Sequence, residues 1–231
     1  MNKDEFVLEC KNIGISIDED ILNKLDLYRN LLVEWNNKFN LTTILEEKDV
    51  YLKHYYDSLC LSLSTNLNNK NICDFGTGAG FPGIVLAIIY KDSNFTLIES
   101  NNKKCTFLNK VKEELNLKNV TIICDRTENY GKNNRELFDI VTCRAVSALN
   151  IILELSISLL KINGLFIPMK SNIEDEFDSS INKAKMLGYN FIEKKEYLLP
   201  KENSKRTLLI YIKVKTTDKK YPRNYNIIKK Q

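Results

Sequence analysis

Two hydrophobic periodicities divide the chain. In the first 69 residues, Ile21, Leu25, Tyr28, Leu32, Trp35 and Phe39 are spaced by four, three, four, three and four, which predicts one apolar helix face. Ser16, with Glu19 three residues on, supplies a capping box for its start. Val50, Tyr51, His54, Leu59 and Leu63 predict a second helical stretch at about 46–67. From residue 70 the pattern changes to short apolar runs separated by helical segments. Strands are predicted at Asn71–Phe75, Phe95–Glu99, Val120–Cys124, Phe138–Cys143 and Gly164–Met169. The helices between them fall at about 82–91, 103–117, 128–136 and 147–161. A helix at about 173–187 and strands at Phe191–Leu199 and Arg206–Lys215 follow. Such alternation predicts an α/β fold, a mostly parallel sheet with helices on both faces. A helical extension at 1–69 therefore precedes the α/β unit at 70–231, with no repeat and no Pro/Gly/Ser-rich linker.

Composition narrows the class. Of 231 residues, 43% are hydrophobic and 28% charged, which excludes a disordered or fibrous chain. The longest apolar run, Ile84 to Ile89, is far short of the roughly 18–20 residues that span a bilayer. The charged start, Met1 to Glu5, lacks the apolar region of a signal peptide, so a cytoplasmic protein with no membrane partner is expected. The six cysteines form no CxxC pair and have no His cluster nearby, so reduced thiols and no metal are expected. The net charge of +4 hides an asymmetry: residues 194–231 carry +9 and the remainder −5. That basic end reads either as a polyanion contact or as a solvated Lys-rich tail. Only six of the 34 cationic residues are arginines, so the position of each carries weight.

The most informative segment closes the first strand: Asp74-Phe75-Gly76-Thr77-Gly78-Ala79-Gly80-Phe81-Pro82-Gly83. Glycines there permit positive φ and close approach of a ligand to the backbone. The dinucleotide fingerprint GxGxxG is broken by Phe81, which disfavours a nicotinamide dehydrogenase. What remains, GxGxG preceded by an acid, is typical of S-adenosylmethionine (SAM) binders, with the loop meeting the methionine carboxylate. Glu99 ends the second strand 23 residues after Gly76, where a carboxylate can accept bonds from both ribose hydroxyls.

Asp74 to Gly83, together with Phe138-Asp-Ile-Val-Thr-Cys-Arg-Ala-Val146, resembles the RsmG (GidB) family of bacterial 16S ribosomal RNA guanine-N7 methyltransferases. Supporting matches are Trp35-Asn36, Asn40-Leu41-Thr42, His54 to Leu59, Glu99-Ser100, Lys103-Lys104, Phe107-Leu108, Arg126-Thr127-Glu128 and Tyr221-Pro222-Arg223. The resemblance covers about residues 20 to 223. It implies a class I, Rossmann-like SAM-methyltransferase fold and SAM as cofactor. The implied partner is 16S ribosomal RNA in the small subunit or an assembly intermediate, met by a monomeric enzyme. It places Asp74, Gly76, Gly78, Gly80 and Phe81 in the cofactor loop, Glu99 on the ribose, and Thr127 and Glu128 near the adenine. Arg144 is implied beside the reactive end, as a positioning group. Arg206 and Arg223, which lie in the basic C-terminal end, and Lys170 are expected RNA contacts. The chain departs from the family pattern at Lys170-Ser171, where Lys-Gly is common, and at Asn224-Tyr225-Asn226-Ile227, where Gly and Pro usually follow.

Guanine N7 carries an in-plane lone pair that is unprotonated at neutral pH, so alignment rather than a general base is required. No Asn/Asp-Pro-Pro-aromatic motif follows the fourth strand, as it would in an exocyclic-amine methyltransferase. Cys143 lacks a preceding Pro and sits in an apolar strand, so a buried structural thiol is expected over a nucleophile. His54, the single histidine, is expected to be structural or RNA-facing. Arg144 follows an apolar strand at its C-terminal end, where open α/β sheets bind ligands. Two rivals share the motifs: a methyltransferase of small molecules or proteins, and a non-catalytic SAM- or RNA-binding module.

Overall fold

The computed structural model describes residues 1–171 and 173–230. Two longer helices open the chain, α1 (Lys3–Asn12) and α2 (Glu19–Phe39). Asp18, not Ser16, caps α2 by accepting from the Ile21 amide at 2.8 Å. The helix begins at Glu19, so Glu19 is the first helical residue and cannot close a box opened at Ser16. Apolar Ile21, Leu25, Tyr28, Leu31 and Leu32 face inward, as the spacing requires.

The stretch expected as one helix at 46–67 is broken into pieces. They are α3 (Glu47–Asp49), a π-helical turn (Val50–Tyr56), α4 (Asp57–Leu59) and a 3₁₀ turn (Cys60–Leu63). The widened π turn buries six of its seven residues, including Tyr51, His54 and Tyr55. A face of 3.6-residue period could not turn so many inward.

The strands are β1 (Asn71–Phe75), β2 (Asn94–Glu99), β3 (Val120–Cys124), β4 (Phe138–Arg144), β5 (Leu160–Lys170), β6 (Tyr189–Leu198) and β7 (Lys205–Lys213). They form one sheet in the order β3-β2-β1-β4-β5-β7-β6, parallel through the first five and antiparallel at β5/β7 and β7/β6. The intervening helices are α5 (Gly83–Ile89), α6 (Asn102–Glu114), α7 (Thr127–Asn133), α8 (Leu149–Ile157) and α9 (Glu174–Leu187); α10 (Tyr225–Ile228) follows the sheet. β5 starts four residues earlier than expected, because Leu160 pairs with Phe138 across an irregularity in β4. α8 accordingly ends at Ile157 rather than near 161.

Successive β1 side chains enter opposite layers: Ile72 joins one core, Cys73 and Phe75 the other. The first core also holds Phe6, Leu25, Tyr28 and Tyr51, so the helical extension covers one face of the sheet together with α5 and α6. The order in which strands are added reverses between the parallel neighbours β1 and β4, which opens a crevice at their C-terminal ends.

The basic C-terminal end is in part an internal structure. Lys213 is fully buried, with Nζ donating to Glu136 at 2.8 Å and to the carbonyls of Ile157 and Leu160. Arg223 donates from its amide and Nε to Oε1 of the fully buried Glu154, at 3.1 and 2.8 Å. Its guanidinium, expected on RNA phosphate, is thus committed to an acid of α8.

Candidate functional site

The glycine loop leaves the crevice at the end of β1. Gly76, Gly78 and Gly80 all have left-handed φ, 64°, 62° and 103°. Two of them are required by packing. A Cβ on Gly80 would lie 2.6 Å from the Tyr28 hydroxyl, and one on Gly76 would lie 2.6 Å from Val146. A Cβ on Gly78 would meet only the Lys104 ammonium, at 4.0 Å, so this is the point where the loop stands open to a ligand.

Asp74, expected among the cofactor contacts, instead lies wholly buried beneath the loop. Its Oδ2 accepts from the Thr77 hydroxyl at 2.6 Å and the Gly83 amide at 2.9 Å, and so shapes the turn. Burial pushes its carboxyl up to about 7, against the pull of those two donors. Glu99 ends β2: one oxygen accepts from the Gly78 amide at 3.0 Å, the other from the Asn101 amide at 2.8 Å. Each carboxylate oxygen retains a lone pair for a hydroxyl donor.

Beyond Glu99 lies a cavity of about 250 Å³, lined by Gly76, Ile98, Asp125, Thr127, Val146 and Tyr225 among others. Apolar walls with a rim of hydroxyl and carboxylate groups suit a purine nucleoside, and Gly78 and Glu99 extend that fit to SAM. Glu128 is buried, and its Oε1 accepts from Arg126 Nε at 2.6 Å. Both residues line this cavity, and the Arg126 guanidinium lies 4.9 Å from the Tyr225 ring centre. Cys124 ends β3 opposite Glu99 and is the one exposed cysteine of the six; its thiol donates to Asn102 at 3.1 Å.

A second cavity, about 440 Å³, lies on the other side of residues 144–146 and is lined by Lys53, His54, Asp57, Arg144, Lys170 and Arg206 among others. Three consecutive residues separate the two spaces. Arg144 and Ala145 line the larger and Val146 the smaller, with Ala145 between them in the left-handed region at φ 54°. An L-residue there carries about 1–2 kcal/mol of strain.

Arg144 reaches across to the helical extension. Its Nη1 donates to the Lys53 carbonyl at 3.0 Å and to Asp57 Oδ2 at 3.1 Å, and its Nη2 meets His54 Nδ1 at 3.2 Å. A guanidinium only donates, so Nδ1 is the acceptor and Nε2–H faces the Thr42 hydroxyl at 3.1 Å. The imidazole stacks on Phe81 at 4.1 Å, and the guanidinium lies 5.4 Å from the same ring. Burial, and then the Arg144 charge, push His54 down to about 3, so the ring is neutral. His54 is thus held by Arg144, Thr42 and Phe81 while its ring also lines the larger cavity.

Asp57 joins these parts. Besides Arg144, it accepts from the Tyr197 hydroxyl at 2.8 Å and pairs with Arg206 at 3.5 Å. Lys170 pairs with Glu176 at 2.9 Å and donates to the Ser147 carbonyl. Lys170 and Arg206 thus share a cavity with Arg144, and Arg223 does not. Cys143 is buried, and desolvation with the nearby Asp74 charge raises its thiol well above the ordinary range, as a structural thiol requires.

Asp57, Thr42 and Tyr197 were not singled out from the sequence, nor was Tyr225 in the other cavity. Asp57 and Thr42 stand inside segments already quoted as family matches. Tyr225 gave no signal, since it lies in the tail that departs from the pattern.

Among the described residues no group of three or more His, Cys, Asp or Glu is placed to hold a metal ion, and no helix is long and apolar enough to cross a membrane. A parallel sheet with a glycine loop at its switch point and an acid ending β2 defines the class I, SAM-dependent methyltransferases. Solved structures of similar fold include M. jannaschii TYW2 in complex with AdoMet, with a TM-score of 0.58 and 17% identity over 74% of this chain and 80% of that one. Another is the 16S rRNA (adenine(1408)-N(1))-methyltransferase of Catenulisporales acidiphilia with cosubstrate SAM, with a TM-score of 0.54 and 11% identity over 66% of this chain and 88% of that one. The family model GidB, rRNA small subunit methyltransferase G, matches residues 21–204, and the chain belongs to that family. Ribosomal RNA small subunit methyltransferase G of Bacillus subtilis is 42% identical over 96% of this chain and 95% of its own length. That of Fusobacterium nucleatum is 43% identical over 97% of each chain.

Proposed function

We propose that the protein methylates N7 of a guanine in 16S ribosomal RNA of the small subunit or its precursor, acting as a cytoplasmic monomer. The observation that carries this reading is the state of the polar groups in the larger cavity. His54 is neutral with Nδ1 occupied by Arg144, Asp57 holds two arginines, and Glu176 is paired with Lys170. A nucleophile needing deprotonation would find no unengaged base among these groups, whereas guanine N7 brings its own lone pair. The Hoogsteen edge of guanine presents two acceptors, N7 and O6, while adenine presents a donor at N6. A cavity lined by Lys53, Arg144, Lys170 and Arg206 suits the former.

Bound in the smaller cavity, SAM supplies an electrophilic methyl. In this reading Glu99 holds the ribose, the open face at Gly78 admits the methionine end, and Arg144 positions the target base. Lys170 and Arg206 meet the RNA around it. Residues 1–69 act as an extension that completes the substrate wall through Lys53, His54 and Asp57, and 70–231 act as the transferase domain. The test is to incubate the protein with methyl-labelled SAM and 30S subunits or 16S RNA from a strain lacking the gene, then map the product. Labelled 7-methylguanine at one position is expected. Label in another base, or SAM binding with no transfer to RNA, would overturn the reading.

A further inference from the structure

The charge of the C-terminal segment is compatible with a polyanion contact or a solvated tail, yet its path leads back to the smaller cavity. After β7 the chain returns across the sheet, and the Tyr221 carbonyl accepts from Arg135 at 2.7 Å. Arg223 is locked on Glu154 of α8, and Asn224 accepts from Lys132 of α7 at 2.7 Å. Three residues after Tyr225, Ile228 is buried in the second core. Tyr225 is therefore held between two anchors, and it lines the same cavity as Gly76, Ile98 and Thr127. Its ring lies beside the Arg126 guanidinium, which Glu128 fixes in turn.

We propose that Tyr225 is a cofactor-site residue: its ring packs against the adenine of SAM and, with Arg126, closes that side of the cavity. This rests on the methyltransferase reading above. A half-buried aromatic ring on a fixed segment, bordering a space of nucleoside size, is the arrangement that stacks on a purine. The cation over the ring, itself part of the cavity lining, holds it in register. Asp125 and Thr127 then supply the polar rim, and the tail contributes affinity for the cofactor rather than for phosphate.

The experiment is calorimetric titration of the full-length chain with SAM and, separately, with adenosine, accompanied by thermal melting without ligand. Tyr225→Ala is expected to raise Kd for both ligands about ten-fold, while Tyr225→Phe stays within about two-fold of wild type. The melting temperature without ligand should be the same in all three. Should the Ala variant unfold, Tyr225→Leu carries the same test with apolar bulk retained. Wild-type Kd in the Ala or Leu variant overturns the assignment, as does a change confined to melting temperature. If the wild-type chain itself binds no SAM, the reading of the fold's cofactor fails instead.

Discussion

The two cavities beside Arg144–Val146 are held by different means. Around the smaller cavity the shape comes from backbone: three left-handed glycines, a strand-end acid that accepts amide donors, and a buried aspartate bracing the turn. Around the larger it comes from side chains far apart in sequence: Arg144, Asp57, His54, Tyr197 and Arg206, drawn from β4, the broken helix, β6 and β7. Backbone geometry localises in a short motif, whereas a charge cluster exists only once the fold has assembled it. The first should tolerate loss of a ligand contact without unfolding; the second should couple chemistry to stability.

The largest expected effect lies in the charge cluster. Asp57→Ala leaves Arg144, Arg206 and Tyr197 without their shared acceptor, and should cost about 3–5 kcal/mol of stability. Denaturant titration checks this, and SAM affinity of the folded fraction should change little. A stable variant would mean that the arginines find other partners. In the loop, Gly78→Val places a branched side chain where the backbone stands open, at φ 62°. SAM binding should weaken at least about 100-fold, while stability falls only by the strain of about 1–2 kcal/mol. Retained binding in calorimetry would remove the loop from the site. Glu99→Ala should weaken SAM binding by about 1.5–3 kcal/mol with the fold intact, the range for hydrogen bonds to a charged group. Wild-type affinity would place the ribose elsewhere.

The smallest effect is a pair of opposed pH dependences, one from each side. Burial holds His54 at about 3 against its usual 6.5, so unfolding takes up a proton below pH 6.5 and stability falls as the pH drops. Burial holds Asp74 at about 7 against its usual 3.8, so the native state keeps a proton that the unfolded chain releases, and stability rises as the pH drops through 7. Between pH 7 and 5.5 each contributes about 1–2 kcal/mol, in opposite directions. Calorimetry should find His54→Gln gaining stability on acidification relative to wild type and Asp74→Asn losing it. Parallel profiles for all three proteins would show that neither group is held as described.

The parallel strands and their connecting helices were legible because each carries its own period and its own turn residues. Gly78 and Glu99 were legible for the same reason, being fixed by position along one βαβ unit. The broken helix at 47–63 was not, because burial on nearly all sides erases the face from which a period is read. Nor was the engagement of Arg206 and Arg223 with Asp57 and Glu154, since a count of charges cannot tell a cation in solvent from one that closes on a distant acid. Asp74 was assigned to the ligand for want of the vertical dimension: the sequence locates it beside the loop, and only the packing shows it lying underneath.

The distribution of thiols has a practical use. Five cysteines are buried, and Cys124 alone reaches solvent, at the end of β3 directly opposite Glu99. A maleimide dye added to the unaltered chain should therefore attach at one place, on the strand end that neighbours Glu99. The protein carries a built-in attachment point for an optical label at the C-terminal edge of the sheet, without any engineered residue.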